Sequence, residues 1–143
     1  MGPDAESEQW VAEVAAAAGC PHVILQKTRS GDHAVAVSLP NVSAWLGHPP
    51  VLVDDIISTA RTMAAAAGAL RAAGMVAPVC VAVHALFAPD ASAVLAGAGV
   101  VDIRSCNTVA HASNRIDLCP YIAAAVVDQL GERNGRATTK HIE

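Results

Sequence analysis

Aromatic side chains are scarce in this chain: two Trp, one Tyr and one Phe make up 3% of 143 residues. Hydrophobic residues reach 53% all the same, so the core has to be built from Ala, Val, Leu and Ile. Lys and Arg are few and nowhere clustered, and the net charge is −4. A basic footprint for nucleic acid is therefore missing. The cysteines Cys20, Cys80, Cys106 and Cys119 form no CxxC pair, so neither zinc spacing nor a secreted disulfide framework is present. Cys80, inside an apolar run, reads as a buried small hydrophobe. Apolar runs are Ala-rich and broken by Gly or Pro, which excludes a membrane span and a signal peptide. The cytoplasm is the default compartment, and no internal repeat is evident.

What is there is alternation of strand and helix signals over a single-domain length. A domain of this size buries roughly 68% of its unfolded surface, enough for one core. Acidic residues before Trp10 and Val14, with Gly19 after an Ala run, predict a first helix. Residues 22–26 read as a strand, 27–33 as a polar loop and 34–38 as a short hairpin arm. Residues 51–55 predict a buried strand, 62–73 a helix ending at Gly74, and 79–87 a second buried strand. A helix from Pro89 to Gly97 or Gly99, a strand over 100–105, a polar loop over 106–115 and a helix over 116–130 follow. Pro120 stands in that helix's first turn, where Pro is tolerated. The polar stretch 131–143 reads as a disordered tail, leaving residues 1–130 as one domain. The fold class is α/β, a mostly parallel sheet flanked by helices with right-handed crossovers.

The most informative stretch is Val51 to Met63. Aliphatic residues run into Asp54 and Asp55, then Ile56 and Ile57, then the hydroxyl-bearing Ser58, Thr59 and Thr62, and then an Ala-rich helix. Asp is disfavoured in strands, and two together need a reason. Carboxylates at the carboxyl end of a strand sit where open α/β sheets bind ligands, and they suit sugar hydroxyls or a hydrated Mg²⁺. The helix N-terminus beyond them offers free N–H groups and a partial positive charge to a phosphate. Together the two halves describe a sugar phosphate. The plainer alternative is a buried strand followed by a chance Asp pair, with Ser58 or Thr59 as an ordinary N-cap.

The run Asp54-Asp55-Ile56-Ile57-Ser58-Thr59-Ala60-Arg61-Thr62 resembles the phosphoribosyl-pyrophosphate motif of type I phosphoribosyltransferases. Gly2-Pro3-Asp4 with Glu6, Ser7 and Trp10, Lys27-Thr28-Arg29, and the segment from Asn107 to Leu118 are similar to further signatures of ribose-phosphate pyrophosphokinases. That family transfers the β,γ-diphosphoryl group of Mg-ATP to the anomeric hydroxyl of ribose 5-phosphate. The resemblance implies that Ser58, Thr59, Ala60, Arg61 and Thr62 hold the 5-phosphate and that Asp54 and Asp55 hold the ribose hydroxyls. It implies that Lys27 and Arg29 are catalytic, neutralising charge on the transferring phosphates, and that Asp4 is a ligand of the cofactor Mg²⁺. Lys27 and Arg29 read by themselves are two solvated loop charges, and Asp4 is equally a helix N-cap. His84 reads as a hydrogen-bonded residue at the core edge, and Ser113 and Asn114 as loop-closing residues.

Arg61 stands where the family more often has Gly. If its φ is positive, a bulky residue is costly there; otherwise its side chain points outward and only its backbone serves the phosphate. The resemblance also implies an amino-terminal domain carrying much of the ATP site, and a central strand before Gly2-Pro3-Asp4. Neither is in the sequence, so the sheet is expected to lack one central strand at its amino end. The expected reading is the carboxyl-terminal, ribose 5-phosphate-binding part of a pyrophosphokinase. Alone it would be inactive, with Mg-ATP a partner only when the missing half is supplied. A homo-oligomer or a partner chain would fill the strand position. The alternatives are a phosphoribosyltransferase that consumes phosphoribosyl pyrophosphate, and a non-catalytic regulatory subunit. The first of these lacks an aromatic-rich hood for a base, since Phe87 and Tyr121 stand alone.

Overall fold

The computed structural model describes residues 1–30 and 34–138, without the side chains of residues 27–30, 34–37 and 132–138. A 3₁₀ turn, Ala5–Ser7, leads into helix α1, Glu8–Ala17. Strands β1, Gln26–Ser30, and β2, Ala34–Ser38, pair antiparallel as a separate hairpin. Strand β3, Val51–Ile57, feeds helix α2, Arg61–Ala72; strand β4, Val79–Ala85, feeds helix α3, Ala91–Gly97. Strand β5, Asp102–Cys106, then the short strand β6, Asn114–Ile116, complete a four-stranded sheet, and helix α4, Cys119–Thr138, ends the chain. The sheet order is β3-β4-β5-β6, with every pair parallel. This is the α/β class that the sequence predicts.

Leu52, Cys80 and Ala82 from the sheet meet Met63, Ala66, Ala67 and Leu70 of α2 and Leu95 of α3, all at most 1% exposed. Small Ala faces let α2 lie close on the strands. The turn after α2 closes through Gly74 at φ +84°, where Gly74 N–H donates to Arg71 C=O and Met75 N–H to Leu70 C=O. Gly99, at φ +85°, ends α3 in the same way, and a Cβ there would run into the Arg71 side chain.

Four local expectations are corrected. Residues 22–26 are not a continuous strand: Ile24 makes a single parallel bridge to Gly2, and Gln26 already belongs to β1. Residues 27–30 are strand rather than loop. Asn114–Ile116 is a strand where loop and helix were expected. The final helix runs to Thr138, so residues 131–138 are helical rather than a disordered tail; residues 139–143, and 31–33 of the expected loop, lie outside the described residues.

Candidate functional site

Strand β3 carries its two carboxylates to the open end of the sheet. Asp54 is half-buried and Asp55 exposed. Their side chains turn back on the strand: Asp54 Oδ1 accepts from Asp55 N–H at 3.0 Å, and Asp55 Oδ1 accepts from Ile56 N–H at 2.8 Å. These bonds fix both carboxyl groups beside the backbone and leave their second oxygens available. Burial is the main cause that pushes the Asp54 carboxyl up to about 6, with Asp55 and Asp4 adding negative field against a partial offset from the Asp55 N–H.

Asp4 is therefore close enough to be felt at Asp54. It also caps the 3₁₀ turn, accepting from Ser7 N–H at 3.3 Å, while Ser7 Oγ donates to Asp4 C=O at 2.6 Å. The cap reading of Asp4 holds in the fold. Among the described residues no three His, Cys, Asp or Glu side chains converge as a metal cage. Magnesium is ordinarily held by one or two carboxylates together with substrate phosphates, and Asp54 with Asp4 offers such a set of hard oxygens.

Beyond Ile57 the chain turns through Ser58, Thr59 and Ala60 into α2. Ala60 takes φ +61°, the one positive φ at a non-glycine among the described residues. It is the residue before the helix, and its methyl carries no capping oxygen. Neither Ser58 nor Thr59 caps α2, so that simpler reading of the motif is corrected. The first N–H groups of the helix are left without an internal partner. Arg61 is the first residue of α2, exposed and helical, so the positive φ falls one residue earlier than considered for Arg61. A cavity of about 140 Å³ lies in this turn, lined by Asp54 and by residues 56–63, from the end of β3 through the turn into the first residues of α2. The motif residues Asp54, Ser58, Thr59, Ala60, Arg61 and Thr62 thus surround one space, and Asp55 adjoins it.

Support comes from outside the run Asp54 to Thr62. Ala88 N–H donates to Ser58 C=O at 3.1 Å, hanging the loop from the exit of β4. Phe87 stacks on His111 with ring centroids 4.4 Å apart and planes 5° from parallel. His111 Nδ1 accepts from Ser113 N–H at 3.2 Å, which puts its neutral-state proton on Nε2. Asn114 Nδ2 donates to Val109 C=O at 2.9 Å, closing the loop as expected of it. His84, at the end of β4, bonds Thr108 Oγ1 at 2.9 Å, and Thr108 donates its own proton to Val83 C=O. His84 Nδ1 must then be the donor to Thr108 Oγ1.

Lys27 and Arg29 lie two residues apart on β1, opposite Val37 and Val35 of β2. Their backbone belongs to the hairpin and not to the main sheet; their side chains lie outside the description.

A family model for the phosphoribosyl transferase domain matches residues 1–119. The chain belongs to that family. Among curated proteins, ribose-phosphate pyrophosphokinase of Methanosarcina acetivorans is 35% identical over 126 residues, 88% of this chain and 44% of the relative. Ribose-phosphate pyrophosphokinase 2 of Archaeoglobus fulgidus is 36% identical over 123 residues, 86% of this chain and 45% of the relative. The chain thus spans less than half the length of these relatives. Phosphoribosylpyrophosphate synthetase from Mycobacterium smegmatis shares the fold: TM-score 0.71 at 24% identity, over 92% of this chain and 44% of that one. Within the phosphoribosyl transferase domain described here, the turn at residues 58–62 borders the cavity of about 140 Å³.

Proposed function

We propose that this chain is the ribose 5-phosphate-binding part of a ribose-phosphate pyrophosphokinase. The observation that carries the reading is the uncapped N-terminus of α2, opened by the left-handed Ala60 into a cavity bordered by Asp54. Orphan helix N–H groups and the hydroxyls of Ser58, Thr59 and Thr62 would hold the 5-phosphate. Asp54 and Asp55 would accept hydrogen bonds from the ribose hydroxyls. Asp54 with Asp4 would hold Mg²⁺, which supplies charge neutralisation for the phosphates when bound.

In the complete reaction the anomeric oxygen of ribose 5-phosphate attacks the β-phosphorus of ATP. The bond to the α-phosphate oxygen breaks, AMP leaves, and the hydroxyl proton is given up. Lys27 and Arg29 would neutralise charge on the diphosphoryl group in transit. ATP would need groups beyond this chain, and a partner chain or self-association would complete the assembly.

Calorimetric titration of the purified chain with ribose 5-phosphate, with and without Mg²⁺, tests the site. Saturable binding is expected, weakened at least 10-fold in the Thr59→Ala/Thr62→Ala variant, since a hydrogen bond to a charged group contributes roughly 1.5–3 kcal/mol. A cooperatively folded chain that binds no ribose 5-phosphate would refute the reading. If a partner restores turnover, Lys27→Ala and Arg29→Ala should cut the rate while leaving ribose 5-phosphate affinity in place. Undiminished rates would favour solvated loop charges instead.

A further inference from the structure

The turn that opens α2 is strained at Ala60, and a strained backbone persists only where its surroundings over-determine it. One hold comes from the exit of β4, where Ala88 N–H donates to Ser58 C=O at 3.1 Å. The peptide between Ser58 and Thr59 is planar and trans. With the Ser58 carbonyl pinned toward Ala88, the Thr59 N–H is turned the opposite way. Ser58 and Thr59 both line the cavity of about 140 Å³. A flip of this peptide would put a carbonyl oxygen where the N–H now stands. A carbonyl repels the anion that an N–H attracts.

Ala88 has only a methyl group to seat itself, but its neighbour Phe87 has a ring. That ring lies on His111 at 4.4 Å, almost parallel, and both residues are half-buried. His111 belongs to the loop after β5, which is fixed at both ends. At its start Thr108 donates to Val83 C=O and bonds His84, both at the end of β4. At its end Ser113 Oγ lies 2.8 Å from Ser105 Oγ of β5; Ser105 is fully buried and Ser113 is 8% exposed. Ser105 also donates to Asn114 Oδ1 at 2.8 Å, and Ser113 N–H ties His111 to this anchored end. A ring on a fixed loop thus sets a second ring, and the residue beside the second ring sets a peptide of the turn.

We propose that Phe87 and His111 are positioning residues for the turn at residues 58–62: their stack seats Ala88, and Ala88 holds the Ser58–Thr59 peptide in the orientation that receives a phosphate. The inference rests on the reading of this turn as the ribose 5-phosphate cradle. It adds that the cradle is tuned from the exits of β4 and β5, by two rings that need not touch the ligand.

The test is calorimetric titration of the full chain with ribose 5-phosphate, as parent, Phe87→Leu, His111→Asn and Phe87→Tyr. Phe87→Leu keeps an apolar side chain and loses the flat ring. His111→Asn keeps an acceptor for Ser113 N–H and loses the ring. Each is expected to weaken binding by the folded chain about 2- to 10-fold, the range that an aromatic pair commands. The double variant should be no weaker than either alone, since both act through one contact. Phe87→Tyr, which keeps the ring, should bind within about twofold of the parent. Deuterium exchange gives a second readout: the Ala88 amide should exchange faster in Phe87→Leu and in His111→Asn, while those of Leu52 and Cys80 stay as protected as in the parent. A merely structural role would lower stability and leave the affinity of the folded chain unmoved. Unmoved affinity, or unmoved Ala88 exchange, would overturn the inference while the reading of the turn stands. A parent chain that binds no ribose 5-phosphate would overturn the reading and this inference with it. Phe87→Leu and His111→Asn probe the contact from its two sides, so the comparison stands if one of them fails to fold.

Discussion

Ala60 and Asp54 each hold a state that the rest of the fold has to maintain. An L-residue at φ +61° costs about 1–2 kcal/mol, and Ala60 is 5% exposed, so the position is both strained and packed. Ala60→Val should lower stability by about 2 kcal/mol in chemical denaturation and abolish ribose 5-phosphate binding, because a β-branched side chain resists this backbone. Ala60→Gly should keep binding and shift stability by less than about 1 kcal/mol, relief of strain being offset by added chain entropy. At Asp54 burial pushes the carboxyl up to about 6, above the ordinary carboxylate value, so the folded state holds more protons than the unfolded one between these values. By linkage, stability contributed by this group falls as pH rises through that window and stays low above it. Asp54→Asn should therefore melt higher than the parent at pH 7, with the gap closing toward pH 4, while losing ribose 5-phosphate. A gap that does not change with pH would mean that Asp54 ionises normally.

At the scale of elements, β3, the turn and α2 act as one unit. Leu70 and Leu52 are fully buried between helix and sheet. Leu70→Ala should cost about 2–5 kcal/mol in denaturant, yet leave the affinity of the folded fraction within threefold, because the cavity opens a turn and more away from the phosphate cradle. This unit was legible in the sequence: aliphatics ending in Asp54-Asp55, hydroxyls, then an Ala run each imply their element. The left-handed Ala60 was not, since nothing in an Ala distinguishes that conformation; only the shape of the finished turn does. Strand β6 was hidden because Asn114 and Arg115 are polar, and its place depends on the bonds that Asn114 makes with Ser105 and Val109, at 2.8 and 2.9 Å, which the pattern of residues does not show. Gly131 looked like a helix stop, but one Gly costs only about 1 kcal/mol inside a helix and α4 runs through it. Ala88 left no sequence signal at all, because its part is played by a backbone N–H.

At the scale of the whole molecule, two of the cavities among the described residues differ sharply in lining. The small one at the turn has the polar residues a phosphate needs, whereas the large one is bounded mostly by aliphatic and proline residues. Neither combines apolar width for a purine with anion-binding groups for a triphosphate. The purified chain should therefore bind ribose 5-phosphate yet form no phosphoribosyl pyrophosphate or AMP from Mg-ATP in a direct product assay; turnover by the chain alone would refute this.

The last helix of the fold also sets a clock. From Cys119 to Gly131 every residue of α4 is exposed, including Tyr121, Val127 and Leu130 at 72%, 66% and 57%. Such a helix keeps its amides only by its own hydrogen bonds, and helices held that way are marginal in water. In deuterium exchange its amides should turn over in seconds while those of Leu52 and Cys80 persist until the sheet opens. Anything that settles on α4 would announce itself first as a slowing of that exchange.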